Sequence, residues 1–151
     1  MTETRRPVRI GDTTVDDMTS GVQLLRSTAL APAPYAYAAS VPSGHRLLFL
    51  AGACPLNPDG TTAAPGEFVE QARTCVRNLE QALAEGGAQL TDIVSTRVLV
   101  ASGQRHDLVD VWNVVSERFG AHDVPSTLVG VSVLGYPDQL VEIEAVAAVR
   151  Q

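Results

Sequence analysis

The last apolar segment of the chain carries two carboxylates on one side of a predicted strand. The segment runs from residue 139 to residue 146 and reads QLVEIEAV. Alternate side chains of an extended strand share a face, so Glu142 and Glu144 lie together, opposite an apolar face. A carboxylate in this setting is suited to acid/base catalysis or to the positioning of a water molecule. The pattern alone also allows an ordinary solvated strand face.

Hydrophobic periodicity in the preceding segments predicts an α+β domain with the order β-β-β-α-β-α-β-β. Strands are predicted over residues 22–25, 36–41, 46–51, 93–100, 126–134 and 139–149. Helices are predicted from Phe68 to the glycine pair at 86 and 87, and over residues 104–119. Each helix has one apolar stripe, so both can cover the same face of a single sheet. The other face carries Arg97 and Glu142 among apolar residues, which indicates burial against other subunits.

Length and charge limit the class of protein. The chain has 151 residues and a net charge of −6, which indicates one domain and argues against a general nucleic-acid binder. Residues 1–20 are predicted to be a flexible N-terminal arm, and residues 21–151 the folded domain. No apolar run is long enough to span a membrane and the first 20 residues lack a signal-peptide core, so we expect a cytoplasmic protein without a membrane partner.

Residue usage argues against metal or cofactor chemistry. All 11 basic residues are arginines, which excludes a Schiff-base lysine and a phosphate-loop lysine on this chain. Cys54 and Cys75 form no metal-binding motif, and His45, His106 and His122 are isolated from them and from one another in the sequence. We therefore expect neither a metal site nor a cofactor.

Five short strings, in their order and spacing, resemble the RidA/YjgF family of imine/enamine deaminases, which are also described as L-PSP endoribonucleases. The strings are Ala33-Pro34-Tyr35, residues 50–56 (LAGACPL), Asn78-Leu79, Trp112-Asn113 and residues 141–145 (VEIEA). The resemblance spans about residues 31–149. It implies a RidA/chorismate-mutase-like fold: a mixed six-stranded sheet with two helices on one face, assembled as a homotrimeric barrel with clefts between subunits.

The resemblance assigns the cleft only in part. Tyr35 and Glu142 match the family's cleft tyrosine and its water-positioning glutamate, and they are the predicted catalytic pair. The family holds a substrate carboxylate with an arginine in a Pro-Ala-Arg-Ser string, and here Ser126 stands at that position. The family's Ser-Gly-Gln string becomes Ala51-Gly52-Ala53, so a hydroxyl and an amide are also absent.

Five further residues are candidates for substrate binding. Ser126 occupies the arginine position, and Asn113 lies in a matching string of the second helix. Arg97 is either a replacement clamp or a member of an inter-subunit ion pair. Cys54 is either a nucleophile at the rim of the cleft or a small buried thiol. Tyr37 either narrows the pocket or stacks on a planar substrate.

The sequence therefore predicts a RidA-like homotrimer that binds a small molecule between subunits. The expected reaction is hydrolysis of, or proton transfer on, a small imine, enamine or related molecule. We expect this substrate to belong to one specialised pathway. A non-catalytic ligand-binding or chaperone-like trimer is the alternative. A ribonuclease is disfavoured by the acidic charge and by the absence of a suitably placed histidine pair.

Overall fold

Six strands and two helices make up residues 21–151, the part of the chain that the computed structural model describes. The strands are β1 (Gln23–Leu25), β2 (Ala38–Ser40), β3 (His45–Phe49), β4 (Ile93–Val100), β5 (Ser126–Gly130) and β6 (Val141–Arg150). The helices are α1 (Phe68–Glu85) and α2 (Arg105–Phe119), and a 3-10 turn (Leu90–Asp92) precedes β4. The predicted N-terminal arm lies outside the described residues.

The strands form two sheets, and the predicted single six-stranded sheet is wrong in this respect. One sheet has the order β3-β6-β4-β5, and the other contains only β1 and β2. The larger sheet is mixed, as predicted, because β4 and β5 run parallel while β6 is antiparallel to both its neighbours. Proline at position 42 has no amide hydrogen for a ladder bond, which explains why β2 ends at Ser40 and is not continued alongside β3.

Both helices pack on one face of the four-stranded sheet, as the two apolar stripes predicted. Buried apolar residues of α1, α2, β4 and β6 form one continuous core. Its fully buried members include Leu79, Leu83, Ile93, Val111 and Ile143. Neither helix is long and apolar enough to cross a membrane.

Strand β6 has the two-faced pattern that its sequence predicted. Val141, Ile143 and Ala145 are buried against the helices, whereas Glu142 and Glu144 are partly exposed on the opposite face. This strand lies between β3 and β4, so its carboxylates project from the middle of the sheet. Throughout, we call this surface the open face.

Strand β3 is an edge strand, whereas its apolar sequence predicted a strand covered on both faces. It pairs only with β6 in the sheet. Leu48 packs against the core, but Leu47 and Phe49 on the open face are 52% and 74% exposed. An apolar run is typical of a strand that is buried on both faces. It does not reveal whether both faces are buried by residues of the same chain.

Candidate functional site

Glu142 lies where β6 passes the backbone that follows β3. The amide and carbonyl of Ala53 exchange hydrogen bonds with Ile143 at 2.8 and 3.1 Å, which brings Gly52 against the Glu142 side chain. A Cβ atom at position 52 would fall 1.9 Å from Oε1 of Glu142. A larger residue here would displace the carboxylate, so glycine permits its close approach to the backbone.

Two donors meet one oxygen of this carboxylate. The side-chain NH₂ group of Gln139 donates to Oε2 of Glu142 at 3.0 Å. The Cys54 thiol lies within donating distance of the same oxygen, at 3.6 Å, and of the Gly52 carbonyl, at 3.5 Å. Gln139 is only 5% exposed, and its own carbonyl oxygen accepts from the Tyr136 amide at 3.0 Å. We call Cys54, Gln139 and Glu142 the carboxylate cluster.

Cys54 is a poor nucleophile in this setting. Burial, and after it the nearby charge of Glu142, raise the pKa of its thiol to about 11. The deeper Cys75 thiol, which donates to the Val141 carbonyl at 3.5 Å, also has a raised pKa, mainly because it is buried. Both sulfur atoms are therefore protonated near neutral pH, and Cys54 acts as a weak hydrogen-bond donor.

Two side-chain amides of α1, one buried and one partly buried, hold the backbone around the cluster. Gln71 is fully buried, donates to the Asp138 carbonyl at 2.8 Å and accepts from the Leu140 amide at 2.7 Å. Asn78 donates to the carbonyls of Cys54 and Leu56 at 2.8 and 3.0 Å. α1 thereby fixes both segments that contribute to the carboxylate cluster.

Sequence reasoning missed Gln71 and Gln139 and used Asn78 only as part of a matching string. A usable signal was present in α1. Positions 71, 75 and 78 lie on one helical face, so two amides flank a cysteine that belongs to the apolar stripe. No comparable pattern pointed to Gln139, since its role depends on the turn before β6.

A groove of about 440 Å³ extends from the cluster along β3 and α1. It reaches Gly52 and Cys54, which both contact Glu142. The remaining lining is mostly apolar: Leu48, Phe49, Leu50, Ala51, Ala53, Leu56, Leu79, Ala82, Asn78 and Tyr136. A small organic ligand fits this volume, and its apolar surface would face most of the wall.

Tyr35 and Tyr37, two other predicted site residues, form an aromatic group with Trp112 of α2. Tyr35 packs edge-to-face on Tyr37 and on Trp112, with ring centroids 6.1 and 6.4 Å apart. The Tyr37 hydroxyl donates to the Ala31 carbonyl at 2.5 Å. Asn113 follows Trp112 in α2 and is exposed. This aromatic group gives Tyr37 a packing role beside Tyr35.

Ser126 faces the helices and is engaged by its neighbours. Its hydroxyl lies 2.7 Å from that of Thr96 and donates to the Val124 carbonyl at 3.0 Å. The cavity bounded by Ser126, Thr96 and Trp112 measures only about 10 Å³, which is room for about one water molecule. Within one chain, space for a larger ligand therefore lies beside the carboxylate cluster.

One chain does not bring Glu142 together with Ser126 or with the aromatic group that contains Tyr35. Ser126 pairs with Thr96, and Glu142 pairs with Leu99, so their strand positions differ by three residues, or roughly 10 Å along β4. Ser126 and the Tyr35 group lie on the helix side, whereas Glu142 lies on the open face.

Arg97 also lies on the open face, but it is not in the carboxylate cluster. It faces Glu144 across the strand pair, and the two charged groups are 3.4 Å apart. Both side chains are well exposed, at 60% and 41%. An ion pair with this exposure is weak and leaves the guanidinium able to meet another group.

No group of three His, Cys, Asp or Glu side chains within residues 21–151 converges as a metal site. The chemistry available in the described residues is that of a held carboxylate, a protonated thiol and two tyrosines. This set is suited to proton transfer and to the activation of water.

Comparison with known proteins places this arrangement in a family. The family model described as Endoribonuclease L-PSP matches residues 27–149. A RutC family protein from Pyrococcus abyssi is 33% identical over 121 residues, which cover 80% of this chain and 92% of the relative. A 2-iminobutanoate/2-iminopropanoate deaminase from Capra hircus is 31% identical over 133 residues, with coverage of 86% and 93%.

Solved structures agree with the sequence relatives. A protein of the conserved Rid family from Yersinia pestis superimposes with a TM-score of 0.80 at 26% identity, covering 85% of this chain and 99% of that one. A member of the YjgF/YER057c/UK114 family from Mycobacterium tuberculosis gives a TM-score of 0.57 at 29% identity, with the same coverage. On the matched residues, the relatives and the shared fold, the chain belongs to the RidA/YjgF family.

Proposed function

We propose that this chain is a RidA-like enzyme that acts on a small imine or enamine in a cleft between the subunits of a homotrimer. The observation that supports this most directly is the state of Glu142. Its carboxylate is held at one oxygen by Gln139 and Cys54, while the other oxygen approaches Gly52 beside an open groove. The relative from Capra hircus, a 2-iminobutanoate/2-iminopropanoate deaminase, supports the reaction class.

In the proposed reaction Glu142 removes a proton from water as the oxygen attacks the carbon of the C=N bond. The electron pair of that bond moves to the nitrogen, which takes the proton back from Glu142 to give a neutral carbinolamine. A second proton, supplied by water, reaches the amine, and Glu142 takes the hydroxyl proton as the C–N bond breaks to leave a carbonyl product and ammonia. Glu142 then releases that proton to water. Tyr35 of a neighbouring subunit orients the substrate, because Tyr35 and Glu142 of one chain lie on opposite faces of the sheet.

The substrate is proposed to be less acidic than an imino acid. No cation stands at position 126, where the serine hydroxyl is already paired with Thr96. The groove beside Cys54 is mostly apolar, so it would desolvate a carboxylate without compensation. An uncharged or more apolar imine fits both features, as in a specialised pathway.

The trimer is proposed from the open face. Phe49 and Leu47 are 74% and 52% exposed there, which is costly for an isolated chain. Size-exclusion chromatography with light scattering should give about three times the chain mass of 16.0 kDa. A stable monomer at micromolar concentration would remove the proposed inter-subunit site.

The decisive experiment compares Glu142→Gln with the unaltered protein in an imine-hydrolysis assay. Imines are generated in place by an amino-acid or amine oxidase, and loss of the imine is followed against its spontaneous hydrolysis. Glu142→Gln keeps the shape of the side chain but removes the base, so turnover should fall about tenfold to a hundredfold. Glu144→Gln, two residues along the same face, is the matched control and should retain most of the turnover.

A non-catalytic ligand-binding or chaperone-like trimer is the second candidate. It is favoured by the neutral Ser126–Thr96 pair at the place of the family's substrate clamp. Under this alternative, a folded Glu142→Gln trimer would show the same imine loss as the unaltered protein.

A further inference from the structure

The two oxygens of Glu142 have different surroundings. Oε2 accepts from the Gln139 amide and from the Cys54 thiol. Oε1 receives no hydrogen bond from the side chains of residues 21–151 and lies over the bare backbone of Gly52, which lines the groove. One oxygen is therefore fixed by donors, and the other lies against Gly52, a residue of the groove wall, without a side-chain donor.

We propose that Gln139 is a positioning residue for Glu142: together with the Cys54 thiol it holds Oε2, so that Oε1 is the oxygen that meets water or substrate. The inference rests on the proposed function for its catalytic meaning. The contacts of Gln139 and Cys54 with Oε2, which we call the clamp on Glu142, can be tested without any substrate.

The orientation of the Gln139 amide follows from its own partners. Its carbonyl oxygen is occupied by the Tyr136 amide, which can only donate. The NH₂ group must then point the other way, where it donates to Glu142 and, at 3.2 Å, to the Val141 carbonyl. A flipped amide would place its oxygen against the carboxylate and its NH₂ against an N–H group. Burial of Gln139 leaves no solvent to compensate for such an arrangement.

A carboxylate needs this kind of support in order to present one oxygen. The terminal torsion of a glutamate is broad and nearly two-fold, so an unsupported group exchanges its oxygens and tilts freely. Two donors on Oε2 restrict that torsion. Both hydrogen bonds are strengthened because their acceptor is ionised. A thiol is a weak donor, so the amide contributes most of the restraint.

Cys54 supports the clamp as a donor because it stays protonated. Burial raises the pKa of the thiol to about 11, with the Glu142 charge as the next contribution. Near neutral pH the thiol is therefore the donor of this contact and the carboxylate is the acceptor. The same contact makes Cys54 a reporter of the carboxylate.

The first test separates positioning from folding by kinetics. Gln139→Met keeps the length and removes both polar ends, and Gln139→Leu removes them with a shorter branched side chain. Both variants should lower kcat about tenfold and leave KM within about twofold, the scale of one charge-assisted hydrogen bond. Gln81→Met is the matched control, since Gln81 is exposed in α1 and donates to Glu85 at 2.9 Å. A folded Gln139→Met trimer with unaltered kcat would overturn the proposal.

The second test uses the thiol and needs no substrate. The rate of Cys54 alkylation by iodoacetamide is followed against pH by peptide mass, in the unaltered protein, Glu142→Gln and Gln139→Met. Glu142→Gln removes the neighbouring charge, so the pKa of Cys54 should fall and its alkylation at pH 8 should rise several-fold. Gln139→Met leaves the thiol as the only side-chain donor to Oε2, so the neutral thiol is favoured, the pKa of Cys54 should rise and alkylation should slow.

The two tests together distinguish a failed clamp from a failed function. If the alkylation profiles of the two variants shift in these opposite directions but the unaltered protein shows no imine turnover, then the clamp on Glu142 is supported and the proposed reaction is wrong. Profiles that are the same in all three proteins overturn the clamp, whatever the turnover of the unaltered protein.

Discussion

The carboxylate cluster and the region around Ser126 lie at different positions along β4 and are built on opposite principles. In the cluster, buried amide and thiol donors converge on the charge of Glu142. Around Ser126, two hydroxyl groups satisfy each other, Tyr35 packs on aromatic edges, and Asp123 at the border of the same small cavity is paired with Arg26. In one region a carboxylate is held by neutral donors, and in the other the carboxylate is paired with an arginine.

The difference shows that reactivity and substrate choice can be separated on this fold. The carboxylate cluster depends on the turn before β6 and on two amides of α1. The Ser126 region depends on β4, β5 and α2. A substitution in one region should therefore leave the other intact, and the following changes test that separation.

The largest effect is expected from Gly52→Ala. The added Cβ would lie 1.9 Å from Oε1 and 2.6 Å from Cδ of Glu142, so the carboxylate must leave its donors. We expect turnover to fall about a hundredfold, the lower end of the range for loss of a positioned acid/base group. Gly103→Ala is the control, because a Cβ there meets nothing within 4 Å. Full activity of Gly52→Ala would mean that Glu142 works from another rotamer.

The next largest effect concerns the support of the cluster from α1. Gln71→Met leaves the Leu140 amide and the Asp138 carbonyl without their partner in a buried setting. We expect a loss of about 2–3 kcal/mol in the free energy of unfolding, measured by urea denaturation. Gln81→Met should change it by less than about 0.5 kcal/mol, because its amide is exposed. Equal stability of the two variants would show that α1 does not hold the turn.

A smaller effect is expected from restoring a clamp with Ser126→Arg. A guanidinium at this position can bind a carboxylate through two hydrogen bonds, which should raise kcat/KM for 2-iminopropanoate about tenfold. Ser126→Gln adds length without charge and should give no such gain. If the unaltered protein already hydrolyses 2-iminopropanoate as fast as an arginine-bearing relative, then position 126 does not determine substrate charge.

The smallest effect is expected from Arg97→Met. The Arg97–Glu144 pair is exposed, so its removal should alter stability by less than about 1 kcal/mol. Turnover should change less than about twofold, since Arg97 lies outside the carboxylate cluster. A large rise in KM for carboxylate-bearing imines alone would identify Arg97 as the replacement clamp.

Local patterns predicted much of the fold. β4 runs from Ile93 to Val100 as its β-branched sequence indicated, and α1 begins at Phe68 and ends before its glycine pair. The alternation in β6 correctly separated Glu142 from the buried face. These features depend on residues close in sequence, where periodicity is informative.

Features that depend on distant residues were not predictable in the same way. The apolar sequence of β3 could not show that the strand lies at an edge, since its neighbours are chosen by the whole topology. Gln139 reads as an ordinary polar residue before a strand. Its role requires Cys54, 85 residues earlier, to arrive beside Glu142, and the hydrogen bond from Asn78 secures that arrival.

The central place of β6 has a consequence for synthesis of the chain. β6 is the last described strand in sequence, yet it joins β3 to β4, with His45 opposite Arg150, about 100 residues away. Until β6 has emerged from the ribosome, β3 has no partner in the sheet, and the apolar stripe of α1 lacks one of its main covers. Premature termination before residue 141 should therefore give an aggregation-prone fragment instead of a smaller stable domain.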